Sequence, residues 1–117
     1  YNIPKGSKTA LVFFDPECKH CKHTIKRLLA AMDSVKEIQF YFVTPTHSIQ
    51  AIRDFYATYR LGEYKNIALV GRDYEFFFFS YYLVRSVPDI ALYDEHKKLI
   101  NFKEGEFTAS DVYRMEH

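Results

Sequence analysis

The segment TALVFFDPECKHC, residues 9–21, decides the fold that this 117-residue sequence predicts. Its first part, Thr9–Phe14, is a short apolar run rich in β-forming residues, and the Asp-Pro pair that follows is typical of a turn. A helix is predicted over residues 18–32, because apolar side chains recur there at helical spacing. These side chains are Cys21, Ile25, Leu28 and Met32. The two cysteines of the chain therefore lie where a buried strand gives way to a helix, and Cys18 is predicted in the first turn.

A second strand pattern follows this helix at residues 37–43, where Ile38, Phe40 and Phe42 alternate with their neighbours at the two-residue period of a strand. Two strands joined by a helical crossover are expected to be parallel and right-handed. The first strand should then lie inside the sheet, with its carboxyl end facing the cysteines. Ligands tend to gather at that edge of an α/β sheet.

The rest of the chain continues the alternation of helical and strand patterns. Residues 48–60 predict a helix that Gly62 ends, residues 66–70 predict a strand, and the aromatic run YEFFFFSYYL at 74–83 is predicted to be helical. Two short apolar runs, residues 90–93 and 98–102, flank a polar turn and predict an antiparallel hairpin. A capping box at residues 108–111 predicts the start of a short last helix.

Charge and hydropathy exclude several classes of protein. Sixteen Lys and Arg against fifteen Asp and Glu leave a net charge of +1, without the basic block that nucleic acid binding requires, so we expect no nucleic acid partner. The longest apolar stretch, residues 76–84, is far shorter than the roughly 20 residues of a membrane span. The chain opens at Tyr1 without a targeting segment, and we interpret it as an excised or processed single domain, residues 1–117.

The spacing of the cysteines indicates redox chemistry. Backbone N–H groups without intrahelical partners and the positive end of the helix dipole stabilise a thiolate at the start of a helix, which makes Cys18 the expected nucleophile. Cys21 lies one turn further on and points toward the apolar stripe, as a resolving thiol should. A metal site remains an alternative, since CKHCKH holds two thiols and two imidazoles, with His47 and His96 as further donors. An inert relic of the fold is the third possibility.

Two motifs together resemble the thioredoxin-fold thiol-disulfide oxidoreductases, in particular the bacterial extracytoplasmic cytochrome-maturation thioredoxins. They are LVFFDPECKHC and, downstream, YYLVRSVPDIALYDEHKKLI. The resemblance implies a thioredoxin-like α/β fold, a three-layer α/β/α arrangement with a central mixed β-sheet flanked by helices. It also implies a cis Pro88 that packs beside the disulfide and a Val87 backbone that pairs with an extended substrate. Protein thiols or disulfides would be the partners, no cofactor would be needed, and the location would be the bacterial periplasm or cell surface.

The sequence departs from the family pattern around the nucleophile. Glu17 replaces the usual Trp and should oppose thiolate formation at Cys18, whereas Lys19 and His20 should favour it. We therefore assign redox tuning to Glu17, Lys19 and His20, with a solvated imidazole as the alternative for His20. His23 is expected to be plain surface.

The acid that many thioredoxins use to deprotonate the second cysteine is also missing. Val12 stands at its strand position, and Thr24 stands where the cytochrome-maturation relatives often carry Glu, so the proton acceptor for Cys21 stays unassigned. A thiol peroxidase is rejected, because its Thr-x-x-Cys pattern would need Thr in place of Asp15. The remaining alternative is a non-catalytic binding domain that uses a metal held by the motif or an aromatic surface. That surface would comprise Phe76–Phe79, Tyr81 and Tyr82.

Overall fold

A computed structural model of the chain describes residues 7–46, 48–72 and 87–116. Within these ranges there are five strands, three α-helices and two short 3₁₀ helices, the latter at Met32–Val35 and Leu61–Glu63. In chain order the strands and α-helices are β1 (Lys8–Phe13), α1 (Lys19–Ala30), β2 (Ile38–Thr44), α2 (Ile49–Thr58), β3 (Ile67–Arg72), β4 (Asp89–Tyr93), β5 (Leu99–Glu104) and α3 (Ala109–Glu116).

The five strands form one mixed sheet in the order β3-β2-β1-β4-β5. Strand β1 pairs in parallel with β2 and antiparallel with β4, so the predicted β-α-β unit and the central place of β1 are confirmed. Strands β4 and β5 pair antiparallel, which confirms the predicted hairpin. The segment that carries the cysteines leaves the sheet at the carboxyl end of its central strand, as expected.

Side chains that alternate along the strands build two hydrophobic clusters, one on each face of the sheet. The larger cluster joins Val12 and Phe42 of the sheet to all three α-helices, which contribute Ile25, Phe55 and Val112. The smaller cluster on the other face contains Phe13, Val43 and Ala91, whose side chains are almost fully buried. Burial on both faces explains why β1 and β2 are apolar at nearly every position.

Two predicted helix boundaries were wrong. Helix α1 starts at Lys19 rather than Cys18 and ends at Ala30 rather than Met32, because Ala31 leaves helical geometry (φ −118°, ψ 21°) and Met32 continues in a 3₁₀ turn. Helix α2 ends at Thr58, and Arg60, not Gly62, adopts the left-handed conformation (φ 54°) after it. Gly62 instead allows a close approach, since a Cβ there would lie 2.5 Å from the Tyr56 hydroxyl.

The last helix starts as predicted. Thr108 and Asp111 form a reciprocal capping box in which each backbone N–H donates to the other side chain, at 2.9 and 3.1 Å. The helix predicted for residues 74–83, with its aromatic surface, lies outside the described residues. None of the helices in the described ranges combines the length and the apolar character of a membrane span.

Candidate active site

Cys18 occupies the N-cap position of α1. Its backbone is extended (φ −83°, ψ 127°), and its carbonyl accepts the first helical hydrogen bond, from the Lys22 N–H at 3.0 Å. The side chain makes no capping hydrogen bond and is half-buried. The thiol therefore lies at the start of the helix, beside the N–H groups of the first turn that have no intrahelical partner.

Cys21 lies one turn further along α1 and is fully buried in the larger hydrophobic cluster. Its thiol lies close to that of Cys18, and the two cysteines form no disulfide. Burial, above all, raises the pKa of Cys21 to about 12, although the N–H of Asp15 donates to its Sγ at 3.4 Å and acts in the opposite direction. The pair thus consists of one reachable and one shielded sulfur in contact.

Asp15 organises the turn that carries the pair. Its carbonyl accepts the N–H of Cys18 at 3.1 Å, and its Oδ1 accepts the N–H of Glu17 at 2.9 Å, which closes an Asx turn. Its own N–H is the group that donates to Cys21 Sγ. One residue therefore contacts both ends of the Cys-x-x-Cys segment through its backbone, while its carboxylate closes the turn that precedes Cys18.

The three residues predicted to tune the pair have different surroundings. The side chains of Glu17 and Lys19 are exposed at the start of the motif. The ring of His20 is directed to a carboxylate outside the motif, with Nδ1 at 3.2 Å from Glu106 Oε2. In the part of the chain that the structure describes, the His20 ring makes no hydrogen bond to the Cys18 thiol.

Glu106 contacts three side chains of α1 from the loop before α3. Besides His20, it meets His23 Nδ1 at 3.1 Å, and the hydroxyl of the buried Thr24 donates to the same Oε1 at 3.2 Å. The hydrogen bonds from His23, His20 and Thr24 hold the pKa of the Glu106 carboxyl below its usual value. His23 is exposed, as predicted, and in addition contacts Glu106 in this cluster.

Val87 and Pro88 precede β4, and the peptide bond between them is cis, as the resemblance implied. Pro88 is buried and Val87 is half-buried against both hydrophobic clusters; the larger of these also receives Cys18. Asp89, the next residue, pairs with Phe13 at the end of β1. The cis-proline therefore lies at the edge of the sheet from which the cysteine segment departs.

Asp89 places a carboxyl group in the interior directly after the cis-proline. The residue is only 1% exposed, and its Oδ1 accepts the N–H of Gly105 at 2.9 Å. Burial raises the pKa of Asp89 to about 6, with a smaller contribution from the nearby Glu104, against the lowering effect of the Gly105 N–H. The same contact fixes Gly105, which has a positive φ of 84° and immediately precedes Glu106.

The metal alternative requires several donor side chains that lie close enough to bind one metal ion. In the described ranges, no group of three or more His, Cys, Asp or Glu side chains is arranged to hold a metal ion. Of the two further donors considered, His96 belongs to the turn between β4 and β5, and His47 lies outside the described residues.

Three acidic residues of the site were missed or undervalued by sequence reasoning. From the sequence, Asp15 is assigned only to a turn, although an Asp before Pro at the end of a buried strand is a signal for an Asx turn. Asp89 could have been noticed as a carboxylate directly after the proline that the resemblance singled out. Glu106 has no local signal, because its partners lie 82 to 86 residues away along the chain.

The mixed sheet, the Cys-x-x-Cys segment at a helix start and the cis-proline at the same edge define the thioredoxin-like class of fold. The chain belongs to the family described as "Thioredoxin-like domain", whose model matches residues 2–115. The predicted fold class, a three-layer α/β/α arrangement with a central mixed sheet, is thereby confirmed. No protein of curated function matches the chain in sequence.

Solved structures support the same fold at low identity. StoA from Bacillus subtilis is 20% identical, with 97% of this chain and 85% of that chain covered and a TM-score of 0.74. A secreted Mycobacterium tuberculosis disulfide oxidoreductase homologous to E. coli DsbE is 17% identical, with 95% and 81% covered and a TM-score of 0.73. The exposed lipoprotein thioredoxin Etrx1 from Streptococcus pneumoniae is 24% identical, with 96% and 85% covered and a TM-score of 0.68.

Proposed function

We propose that this domain is a thiol-disulfide oxidoreductase that exchanges disulfides with protein substrates through Cys18 and Cys21. The observation that carries the proposal is the contact between a half-buried thiol at a helix N-cap and a fully buried thiol one turn inward. This asymmetry supplies one sulfur that a partner can reach and one that attacks only from within. Two of the similar solved proteins are described as a disulfide oxidoreductase and a thioredoxin.

The reaction follows from the two positions. The Cys18 thiolate attacks one sulfur of a partner disulfide, the partner S–S bond breaks, and the other partner sulfur leaves as a thiolate. Cys21 then loses its proton and attacks the Cys18 sulfur of the mixed disulfide, which releases the second partner thiolate. The partner gains two electrons, and the domain ends with a Cys18–Cys21 disulfide. The reverse sequence oxidises a partner dithiol, and the reduction potentials of the two pairs decide the direction.

Other residues receive supporting roles in this proposal. Val87 and Pro88 bind the extended substrate beside the pair, and Glu17 and Lys19 tune the thiolate of Cys18. His20 tunes it to an extent that depends on where its ring points. The domain requires no cofactor for this exchange. An extracytoplasmic location on the periplasmic or cell-surface side is supported by the words "secreted" and "exposed lipoprotein" in the names of two similar proteins.

The test uses insulin as a protein disulfide and dithiothreitol as the reductant. The wild-type domain should accelerate insulin reduction, Cys18→Ser should abolish the acceleration, and Cys21→Ala should accumulate a mixed disulfide with a partner that reducing agent releases. Glu37→Gln, an exposed change at the opposite end of the sheet, is the matched control and should keep full activity. A wild-type domain with neither turnover nor a trapped partner would instead be a non-catalytic binding domain. One zinc or copper ion bound to the reduced protein and lost in Cys18→Ser would establish the metal alternative.

A further inference from the structure

The segment between Cys18 and His23 carries four basic side chains around the proposed nucleophile. Lys19, His20, Lys22 and His23 are all exposed. A cation or imidazolium in contact with a thiolate stabilises the reduced pair and makes the disulfide more oxidising. Where the His20 ring points therefore matters for the redox properties of the pair, because His20 is the only one of the four that directly precedes Cys21.

The structure directs this ring to a carboxylate outside the motif and, within the described residues, shows no hydrogen bond from it to the Cys18 thiol. His20 Nδ1 lies 3.2 Å from Glu106 Oε2, and the ring is 74% exposed rather than packed onto Cys18. On the side that faces α2, Lys22 lines a cavity with the acidic residues Glu17 and Asp54. The carboxylate that contacts the histidines is thus Glu106, supplied from the opposite side of the helix.

Glu106 itself is held in place from two directions. Its Oε1 is bound by His23 and by the buried hydroxyl of Thr24, at 3.1 and 3.2 Å. On the other side, the preceding Gly105 is tied by its N–H to the interior carboxyl of Asp89, next to the cis-proline. These contacts orient the Glu106 carboxylate toward α1, where the His20 ring meets it.

We propose that Glu106 is a positioning residue of the redox site, which holds the His20 ring away from Cys18 and thereby lowers the reduction potential of the Cys18–Cys21 pair. This inference rests on the proposed function. Without Glu106, the His20 ring is free to turn to the Cys18 thiolate and stabilise it. The carboxylate on a distant loop would then set how oxidising the domain is, independently of the residues between the two cysteines.

The test measures the equilibrium in which the Cys18–Cys21 disulfide and two glutathione thiols give the dithiol and glutathione disulfide. Glu106→Ala should shift this equilibrium about threefold toward the dithiol, which corresponds to an increase of the reduction potential of about 14 mV. Glu106→Gln, which keeps the size of the side chain, should shift it in the same direction and serves if the alanine variant folds poorly. Glu37→Ala should leave the equilibrium unchanged.

A double-mutant cycle separates positioning from a general effect on the fold. His20→Gln alone should change the equilibrium little, because Glu106 already holds the ring, whereas in the Glu106→Ala background it should restore the wild-type value. An unchanged equilibrium in Glu106→Ala and Glu106→Gln, or a shift that persists in full without His20, overturns the inference. A wild-type domain that forms no Cys18–Cys21 disulfide in glutathione buffers contradicts the proposed function itself.

Discussion

The two ends of the parallel strands bury different kinds of polar group: a neutral amide at one end and ionisable groups at the other. At the amino end, the side-chain amide of Asn66 is buried and donates to the carbonyls of Val35 and Ile38, at 3.3 and 3.1 Å, and also contacts the Met32 sulfur. At the carboxyl end, Cys21 and Asp89 are buried with pKa values raised by desolvation. The amide is neutral and its N–H groups are hydrogen-bonded, whereas burial opposes ionisation of the thiol and the carboxyl.

This difference separates a structural site from a chemical one. A buried neutral amide that binds two carbonyls stabilises the fold at any ordinary pH. A buried ionisable group is stable in one protonation state only, so its proton becomes part of whatever reaction takes place beside it. We therefore expect substitutions at the amino end to affect unfolding, and substitutions at the carboxyl end to affect reactivity and its dependence on pH.

The largest expected effect concerns the unequal reactivity of the two thiols. A pKa raised from 9.0 to about 12 lowers the thiolate fraction of Cys21 at pH 7 about a thousandfold, and burial also blocks the reagent. Iodoacetamide should therefore modify the lone thiol of Cys21→Ala at least about a hundred times faster than that of Cys18→Ser, as followed by mass spectrometry. In urea the two rates should converge. Equal rates in the folded variants would contradict the asymmetry on which the proposed function depends.

At the amino end, Asn66→Ala should lower the free energy of unfolding by about 1–3 kcal/mol, because two buried carbonyls lose their donor. Urea denaturation measures the loss. The exposed amide of Gln50 offers a matched control, since Gln50→Ala removes a hydrogen bond to Asp54 at the surface and should cost much less. The redox equilibrium of Asn66→Ala should equal that of the wild type, and a changed equilibrium would mean that the two ends are not separate.

The turn at the carboxyl end gives a smaller effect that sharpens the comparison. Asp15→Ala removes the acceptor for the Glu17 N–H and should loosen the amide that donates to Cys21 Sγ. A lost hydrogen bond of about 1 kcal/mol should slow the release of a preformed Cys18 mixed disulfide roughly fivefold. Asp15→Asn keeps a side-chain oxygen for the Asx turn and should retain a rate near that of the wild type. If Asp15→Asn releases the mixed disulfide as slowly as Asp15→Ala, then the release depends on the charge of Asp15 and not on the turn that it closes.

Local patterns were sufficient for the parts of the fold that depend on neighbouring residues. The apolar runs of β1 and β2 and the helical spacing between them predicted the parallel pair, and the polar turn at 94–97 predicted the hairpin. The capping box of Thr108 and Asp111 was visible for the same reason, since both partners lie within one turn. The cis bond before Pro88 followed from the resemblance and not from the residues themselves.

Features that depend on distant contacts were not predictable in this way. Helix α1 ends at Ala30, although the apolar residues at helical spacing continue to Met32, which is buried in the core. Glu106 meets the motif only after the whole sheet has formed, so neither its position nor its neighbours reveal the contact. The burial of Asp89 likewise depends on its pairing with Phe13 and Glu104 on both sides. The candidate site was thus predicted in its cysteines and missed in its carboxylates.

The last expected effect tests whether Asp89 belongs with the ionisable groups of the carboxyl end. Its pKa is raised from 3.8 to about 6 in the folded chain, so the folded state holds this proton more tightly than the unfolded state. The stability that results is fully present below pH 3.8 and is lost as the pH rises through about 6. This proton should therefore contribute less to the free energy of unfolding of the wild type at pH 8 than at pH 4.

Asp89→Asn isolates this contribution, because an amide cannot ionise and its oxygen can still accept the Gly105 N–H. Urea denaturation from pH 4 to pH 8 should show that the variant gains stability relative to the wild type as the pH rises from about 4 to about 6, with no further gain above that range. Asp33→Asn, which removes an exposed carboxylate at the other end of the sheet, should show no such gain. A constant difference between Asp89→Asn and the wild type across this range would mean that Asp89 stays ionised in the fold, and would place it with Asn66 as a purely structural group.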